Sequence, residues 1–174
     1  MRQAGPTVDE SAFKRLYQRT ARPLQAYLLG VCRDRALADD ILQEAYLRFL
    51  TARLPEMDER GMKNYLFRIA SNRLVDHFRR QRHERPGQET VDLAPAPAPA
   101  ADPLVRIDME RLLAGLSFQE RQLLWLCHVE GFTHEEVAGV AGVGARSVRV
   151  LLFRARSRLA ALIRGSGWTA GGKP

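Results

Sequence analysis

Residues 133–164 read THEEVAGVAGVGARSVRVLLFRARSRLAALIR. From Val137 to Arg164 the stretch carries six arginines, Arg146, Arg149, Arg154, Arg156, Arg158 and Arg164, and no Asp or Glu. Val148, Leu151, Leu152, Ala155, Leu159, Leu162 and Ile163 recur at the three- and four-residue steps of one helical face. A helix that is apolar on one side and purely cationic on the other has a face to pack and a face for polyanions. A shorter helical pattern precedes it, Thr133 to Ala141, and Gly142-Val143-Gly144 joins the two. Helix, tight glycine turn and basic helix is the layout of a helix-turn-helix that enters a DNA groove.

With Leu151, Leu152, Ala155 and Leu159 facing in, Arg146, Arg149, Val150, Phe153 and Arg154 face out. An outward Phe between arginines suits a major groove, where apolar groups meet thymine methyls and arginines grip guanine edges or phosphates. The competing reading is a surface helix with incidental arginines, or one that packs Phe153 onto the rest of the chain.

The helix starts on this side of the chain are well marked. Ser117-Phe118-Gln119-Glu120 and Thr133-His134-Glu135-Glu136 both have the capping-box pattern, in which the first hydroxyl and the last carboxylate satisfy each other's backbone N–H. The helix opened by Ser117 is expected to run to about Glu130, with Gly131 as its C-terminal cap. Leu104 to Ala114 is a further helical pattern.

Between the halves lies Glu84 to Pro103, ERPGQETVDLAPAPAPAADP. Alternating Ala-Pro cannot enter a helix or a sheet core, because each proline removes a donor and clashes with the preceding turn. It is expected to be a flexible, semi-stiff linker reaching about 60 Å if polyproline-like. The domains expected are therefore 1–83, 84–103 as linker and 104–164, with a glycine-rich tail at 165–174.

The first half also reads as helical. Phe13, Leu16, Tyr17, Leu24, Tyr27 and Leu28 share a face between Val8 and Gly30, with Pro23 expected to restart the helix after Thr20. Leu37, Ile41, Leu42, Ala45, Tyr46, Phe49 and Leu50 form a broad apolar face. Pro55 and Gly61 punctuate the next junction, and Met62, Leu66, Ile69, Ala70, Leu74 and Phe78 carry a third helix to Arg82. No period-two strand pattern stands out, so the fold expected is all-α, two small helical domains on a tether.

Composition narrows the function. The net charge is +7, and the only lysines are Lys14, Lys63 and Lys173, so nearly every cation is an arginine, the side chain whose planar fork suits phosphate and guanine. A GC-rich genome would also favour arginine globally, but not the acid-free tract. No apolar run has membrane-spanning length, and Met1 to Glu10 is unlike a signal peptide. Cys32 and Cys127 lie in apolar helical patterns and read as free thiols in a reducing cytoplasm. Cys127, His128 and His134 are too few for a zinc site, and no metal or cofactor is expected. Dinucleotide, phosphate-loop and nucleophile-elbow patterns are absent, so an enzyme is not expected.

Two further clusters matter. Arg73, Arg79, Arg80, Arg82, His83 and Arg85 crowd one helix end among Tyr65, Phe67, Phe78, Asn72 and Asp76. Basic plus aromatic can mark single-strand binding. Arginines at a negative helix C-terminus with aromatics in the core would look the same. Asp39, Asp40, Gln43 and Glu44 make an acidic spot beside Arg48, which in so basic a chain suits a protein partner. A solvated face with a Glu44–Arg48 pair is the plainer reading.

Taken together, the motifs resemble the extracytoplasmic-function (ECF) sigma factors, group 4 of the bacterial RNA polymerase primary-type sigma family. Residues 38–48 (ADDILQEAYLR) resemble that family's core-polymerase-binding helix, 64–80 (NYLFRIASNRLVDHFRR) its promoter-melting and minus-10 helix, and 130–156 its minus-35 helix-turn-helix. The resemblance implies that Asp39, Asp40, Gln43 and Glu44 dock on the β′ clamp helices of core RNA polymerase, with the β flap as a further contact. It implies that Asn72 sits where a flipped non-template base is held, with Tyr65, Arg73, Asp76, Arg79 and Arg80 along that strand or the upstream duplex. Arg146, Ser147, Arg149, Val150, Phe153 and Arg154 match the minus-35 readers. Promoter DNA, single- and double-stranded, and an anti-sigma factor are the other partners implied, in a cytoplasmic protein without membrane insertion. Two positions depart from the pattern: Tyr65 stands where the family usually has tryptophan, and Val150 where a small polar residue is common. The alternatives are a standalone helix-turn-helix regulator, which leaves the Asn72 region and the acidic spot without a task, and a small nuclease, which would need clustered carboxylates or histidines.

Overall fold

A computed structural model describes residues 10–84 and 112–165. These form six helices and no strand: α1 (Glu10–Cys32), α2 (Arg35–Thr51), α3 (Glu59–Glu84), α4 (Phe118–Leu124, continued by a π-helical turn Trp125–Val129), α5 (His134–Ala141) and α6 (Ala145–Gly165). Helix also covers residues 112–114. Most of the Ala-Pro segment, the first nine residues and the tail after 165 lie outside the described residues.

Helix α1 runs unbroken through Pro23, against the restart expected after Thr20. A mid-helix proline costs about 3 kcal/mol. Here the buried stripe Leu16, Thr20, Leu24, Tyr27, Leu28 and Val31 continues in register on both sides of Pro23, and burying one such apolar side chain returns about 1.5–3 kcal/mol. The Thr20 hydroxyl donates to Leu16 O at 2.7 Å and lies 2.8 Å from the Tyr46 hydroxyl, tying α1 to α2 at the turn before the proline. The helix ends where Arg33 turns left-handed (φ 60°), and Asp34 then caps α2 by accepting from Leu37 N–H.

Both capping boxes form. Ser117 and Glu120 close the start of α4, and Thr133 and Glu136 that of α5. Gly131 and Gly142, at φ 69° and 67°, take the left-handed conformation that ends each helix cheaply only with glycine. The π-helical turn was not expected. It closes with Glu130 N–H on Trp125 O, an extra residue per turn.

The two halves do not stand apart. The buried core runs continuously from Leu16 on α1 to Leu152 on α6. Along the seam Phe67 meets Phe132 with ring centres 5.4 Å apart, and Phe78 meets Phe118 at 4.8 Å. Gln122 Nε2 donates to the buried Tyr27 hydroxyl, which also pairs with Ser71 Oγ at 2.7 Å. The Arg121 guanidinium donates to Val31 O of α1 and to Leu113 O and Leu116 O of its own half. Trp125 lies flat against Gly30, where a Cβ would sit 2.1 Å from its ring. Lys63 pairs with the nearly buried Glu130 at 2.9 Å, its ammonium over the Phe132 ring.

Candidate nucleic-acid interface

Helix α6 is held by Val148, Leu152 and Ala155, all buried, against α4 and α5. That packing turns Arg146, Ser147, Arg149, Val150, Phe153 and Arg154 to solvent, as the sequence reading expected. Phe153 is 64% exposed and Val150 51%, so neither is a core residue of this chain. The apolar pair sits among three exposed arginines, Arg146, Arg149 and Arg154, in the first half of α6. Ser147 N–H donates to Gly144 O at 2.8 Å, closing the turn into α6.

On α3 the buried residues Leu66, Phe67, Ala70, Ser71 and Leu74 face inward. Asn72, Arg79 and Arg80 are exposed, and Tyr65, Arg73 and Asp76 are half-buried. Tyr65, Asn72, Asp76 and Arg79 share one side of the helix at seven- and four-residue steps. Arg73 does not join them. Its fork is bound to Glu44 of α2 at 2.8 and 2.9 Å, and it approaches Asp76 at 3.8 Å.

The acidic spot on α2 divides. Asp40 and Gln43 are exposed. Asp39 turns toward α1, where Gln25 Nε2 donates to it at 3.0 Å. Glu44 takes Arg48 on its own helix and Arg73 on α3. Partial burial works to raise the Glu44 carboxyl, but the hydrogen bonds from Arg73 and Arg48 outweigh it and hold the group below the usual carboxylate range.

The model of sigma-70 region 2 matches residues 16–84, and that of sigma-70 region 4 matches residues 106–159. The chain is 26% identical over 160 residues to the ECF RNA polymerase sigma factor SigM of Bacillus subtilis, covering 90% of this chain and 94% of that protein. It is 30% identical over 158 residues to the RNA polymerase sigma factor CarQ of Myxococcus xanthus, covering 88% and 90%. This chain is an extracytoplasmic-function sigma factor. Its fold is that of the sigma factor RpoE solved in complex with the anti-sigma factor NepR from Bartonella quintana, with a TM-score of 0.70 and 22% identity over 87% of this chain and 96% of that one.

Three side chains of this sigma factor lie on the candidate faces without having been named as site residues from the sequence. Arg68 is exposed on the Tyr65–Asn72 side of α3, its guanidinium carbon 5.0 Å from the Tyr65 ring centre. Leu47 and Leu50 are 63% and 40% exposed and continue the Asp40–Gln43 side of α2, so Leu50 leaves the apolar face to which its spacing assigned it. The helical periodicity of the exposed residues around Asn72 and Gln43 is the signal that finds them. Tyr65 and Arg68 also line a hollow of about 270 Å³ between α3 and α5, with Asn64, Glu136 and Val140. Among the described residues no group of three metal-ligating side chains converges, and no helix is long and apolar enough to cross a membrane. Cys32 is buried and its thiol is pushed up to about 11 by that burial; Cys127 is half-buried, and both are free.

Proposed function

We propose that the chain binds core RNA polymerase and directs initiation at promoters with a minus-35 and a minus-10 element. The observation that carries this is the pairing of two outward cationic faces on one chain, the α6 start and the α3 side around Asn72, with an acid-bearing helix α2 beside the second. A standalone regulator needs only the first. The protein works by positioning another enzyme's active centre and needs no catalytic group of its own.

In this reading Arg146, Ser147, Arg149, Val150, Phe153 and Arg154 contact minus-35 duplex. Arginines supply phosphate and guanine contacts, and Phe153 and Val150 apolar contact to thymine methyls. Asn72 holds an unstacked minus-10 base. Asp76, Arg79 and Arg80 line that strand, Tyr65 lies half-buried beneath it on α3, and Arg73 supports the site by tying α3 to α2. Taking a base out of the stack costs a few kcal/mol, which docking on polymerase helps to offset. Asp39, Asp40, Gln43 and Glu44 dock on the β′ clamp helices, with Asp40 and Gln43 the directly presented pair, and the α4–α6 domain reaches the β flap. An anti-sigma factor covers these faces until a signal frees them. The sequence boundaries 1–83, 84–103 and 104–164 serve as polymerase-binding and melting domain, tether and minus-35 reader, in the cytoplasm.

Co-elution with core polymerase tests the docking face. Wild type is expected to form a stable complex, and Asp40→Arg, at an exposed position outside the core, to lose most of it while keeping its melting temperature. Unchanged assembly by Asp40→Arg would remove α2 as the docking face.

A further inference from the structure

The tyrosine that replaces the family's usual tryptophan at position 65 is not presented to DNA as a bare ring. Its inner side faces the buried Phe49, ring centres 6.1 Å apart at 57°. Tyr65 is half-buried, and the Arg68 guanidinium lies over it at 5.0 Å. The order from core to solvent is therefore Phe49, Tyr65, Arg68, and the outermost planar group is the guanidinium. Arg68 is exposed, one turn from Asn72 and on the same side of α3 as Arg79. A delocalised guanidinium is flat, weakly hydrated and stacks on rings through both of its faces, so one face can rest on Tyr65 while the other takes a nucleobase.

We propose that Arg68 is a DNA-contacting residue of the minus-10 site, the platform on which an unpaired non-template base stacks, and that Tyr65 is a positioning residue that holds the guanidinium plane. Resting on the sigma-factor reading, this names what takes over where the tryptophan is absent. Base recognition on such a platform is by its π-face, so the contact tolerates any base at that position. Asn72, one turn further along, retains the hydrogen-bonding task. Lysine cannot substitute. It keeps the charge and reach toward phosphate but has no plane to stack.

The test uses holoenzyme assembled from core polymerase and the full chain, on promoter fragments carrying single abasic sites along the non-template minus-10 strand. Wild type is expected to lose about 10-fold in open-complex affinity at one abasic position, the value of one stacked base. Arg68→Lys is expected to bind the intact promoter about 10-fold more weakly than wild type and to be indifferent to that same abasic site. Tyr65→Phe should behave as wild type, and Tyr65→Ala should resemble Arg68→Lys, with the double variant no worse than either. Minus-35 duplex binding and assembly with polymerase should be equal in all four. An Arg68→Lys protein that matches wild type on the intact promoter, or that shows the same abasic profile, overturns the proposal and leaves a phosphate contact at most. If wild-type holoenzyme opens no promoter at all, it is the sigma-factor reading that fails.

Discussion

Arg60 of α3 and Glu136 of α5 join the two halves of the molecule through a two-pronged pair, with Arg60 Nη2 2.6 Å from Glu136 Oε2. The same carboxylate accepts from Asn64 Nδ2 at 2.8 Å and from Thr133 N–H at 2.7 Å, so one side chain both caps α5 and holds it to α3. The hydrogen bond from Arg60 comes first among the effects that hold the Glu136 carboxyl far below the usual carboxylate range; partial burial opposes it, and Asn64 and Thr133 add to it. A group whose folded-state pKa is depressed contributes stability that is complete above its unfolded value, about 4.3 for glutamate, and is lost as pH falls toward the folded value. Glu136→Gln keeps a capping-box residue but removes the charge. Thermal melts should show a constant deficit of this variant above about pH 5, shrinking as the buffer is acidified below the ordinary glutamate pKa. A deficit that stays level down to pH 3 would show that the carboxylate is not the operative group.

Gly30→Ala sets helix propensity against packing. In an isolated helix the change gains about 1 kcal/mol. Here the new Cβ collides with Trp125, the nearest ring atom being 2.1 Å away. Overpacking of this kind typically costs about 1–3 kcal/mol. The variant should therefore unfold at lower denaturant, and small-angle scattering should report a larger radius as Trp125 is pushed from α1. A more stable or equally compact variant would mean that the seam does not persist in solution.

Arg121 is buried to 9% exposure and donates to three main-chain oxygens, one of them Val31 O at the end of α1. Truncation to Leu leaves those carbonyls without the guanidinium, at about 1–3 kcal/mol for a buried group left unsatisfied. Chemical denaturation should show that loss with little change in binding of the minus-35 duplex, since the reader face proposed above lies on α6. Equal loss of duplex binding would place Arg121 in the reader itself.

Arg149→Ala and Phe153→Ala remove exposed groups, so melting temperatures should be unchanged. Each good base contact is worth about 1–3 kcal/mol of discrimination. Footprinting should show promoter-specific binding weakened by about that amount while assembly with core polymerase is retained. Arg149→Ala should also flatten the salt dependence if its contact is to phosphate, or relax base preference at one position if it is to guanine. No effect on either would remove the α6 start as the reader.

The local signals carried most of the fold. Ser117–Glu120 and Thr133–Glu136 announce helix starts from four residues alone, and the Val148–Leu152–Ala155 spacing orients α6 without any knowledge of its neighbours. What depends on distant partners was not legible. The spacing of Glu136 marks it as a cap; that it also binds Arg60, 76 residues earlier, follows only from the docking of α5 on α3. Pro23 reads as a break because the local rule has no term for the burial on both sides of it. The π-helical turn at Trp125–Val129 has no pattern of its own, and it carries the Trp125 ring to Gly30. Around the candidate sites, the exposure of Asn72, Asp40 and Phe153 follows from the helical spacing, whereas the Glu44–Arg73 pair, which joins two clusters read as separate, and the placement of Arg68 over the Tyr65 ring needed coordinates.

Transcription in vitro bears most directly on the central claim. Core RNA polymerase, the purified full chain and a library of genomic promoter fragments should together yield transcripts with one defined 5′ end per active fragment, dependent on added chain and abolished by Asp40→Arg. Transcripts without a defined start, or the same output with core polymerase alone, would contradict the assignment of these two faces to a single promoter-recognising factor.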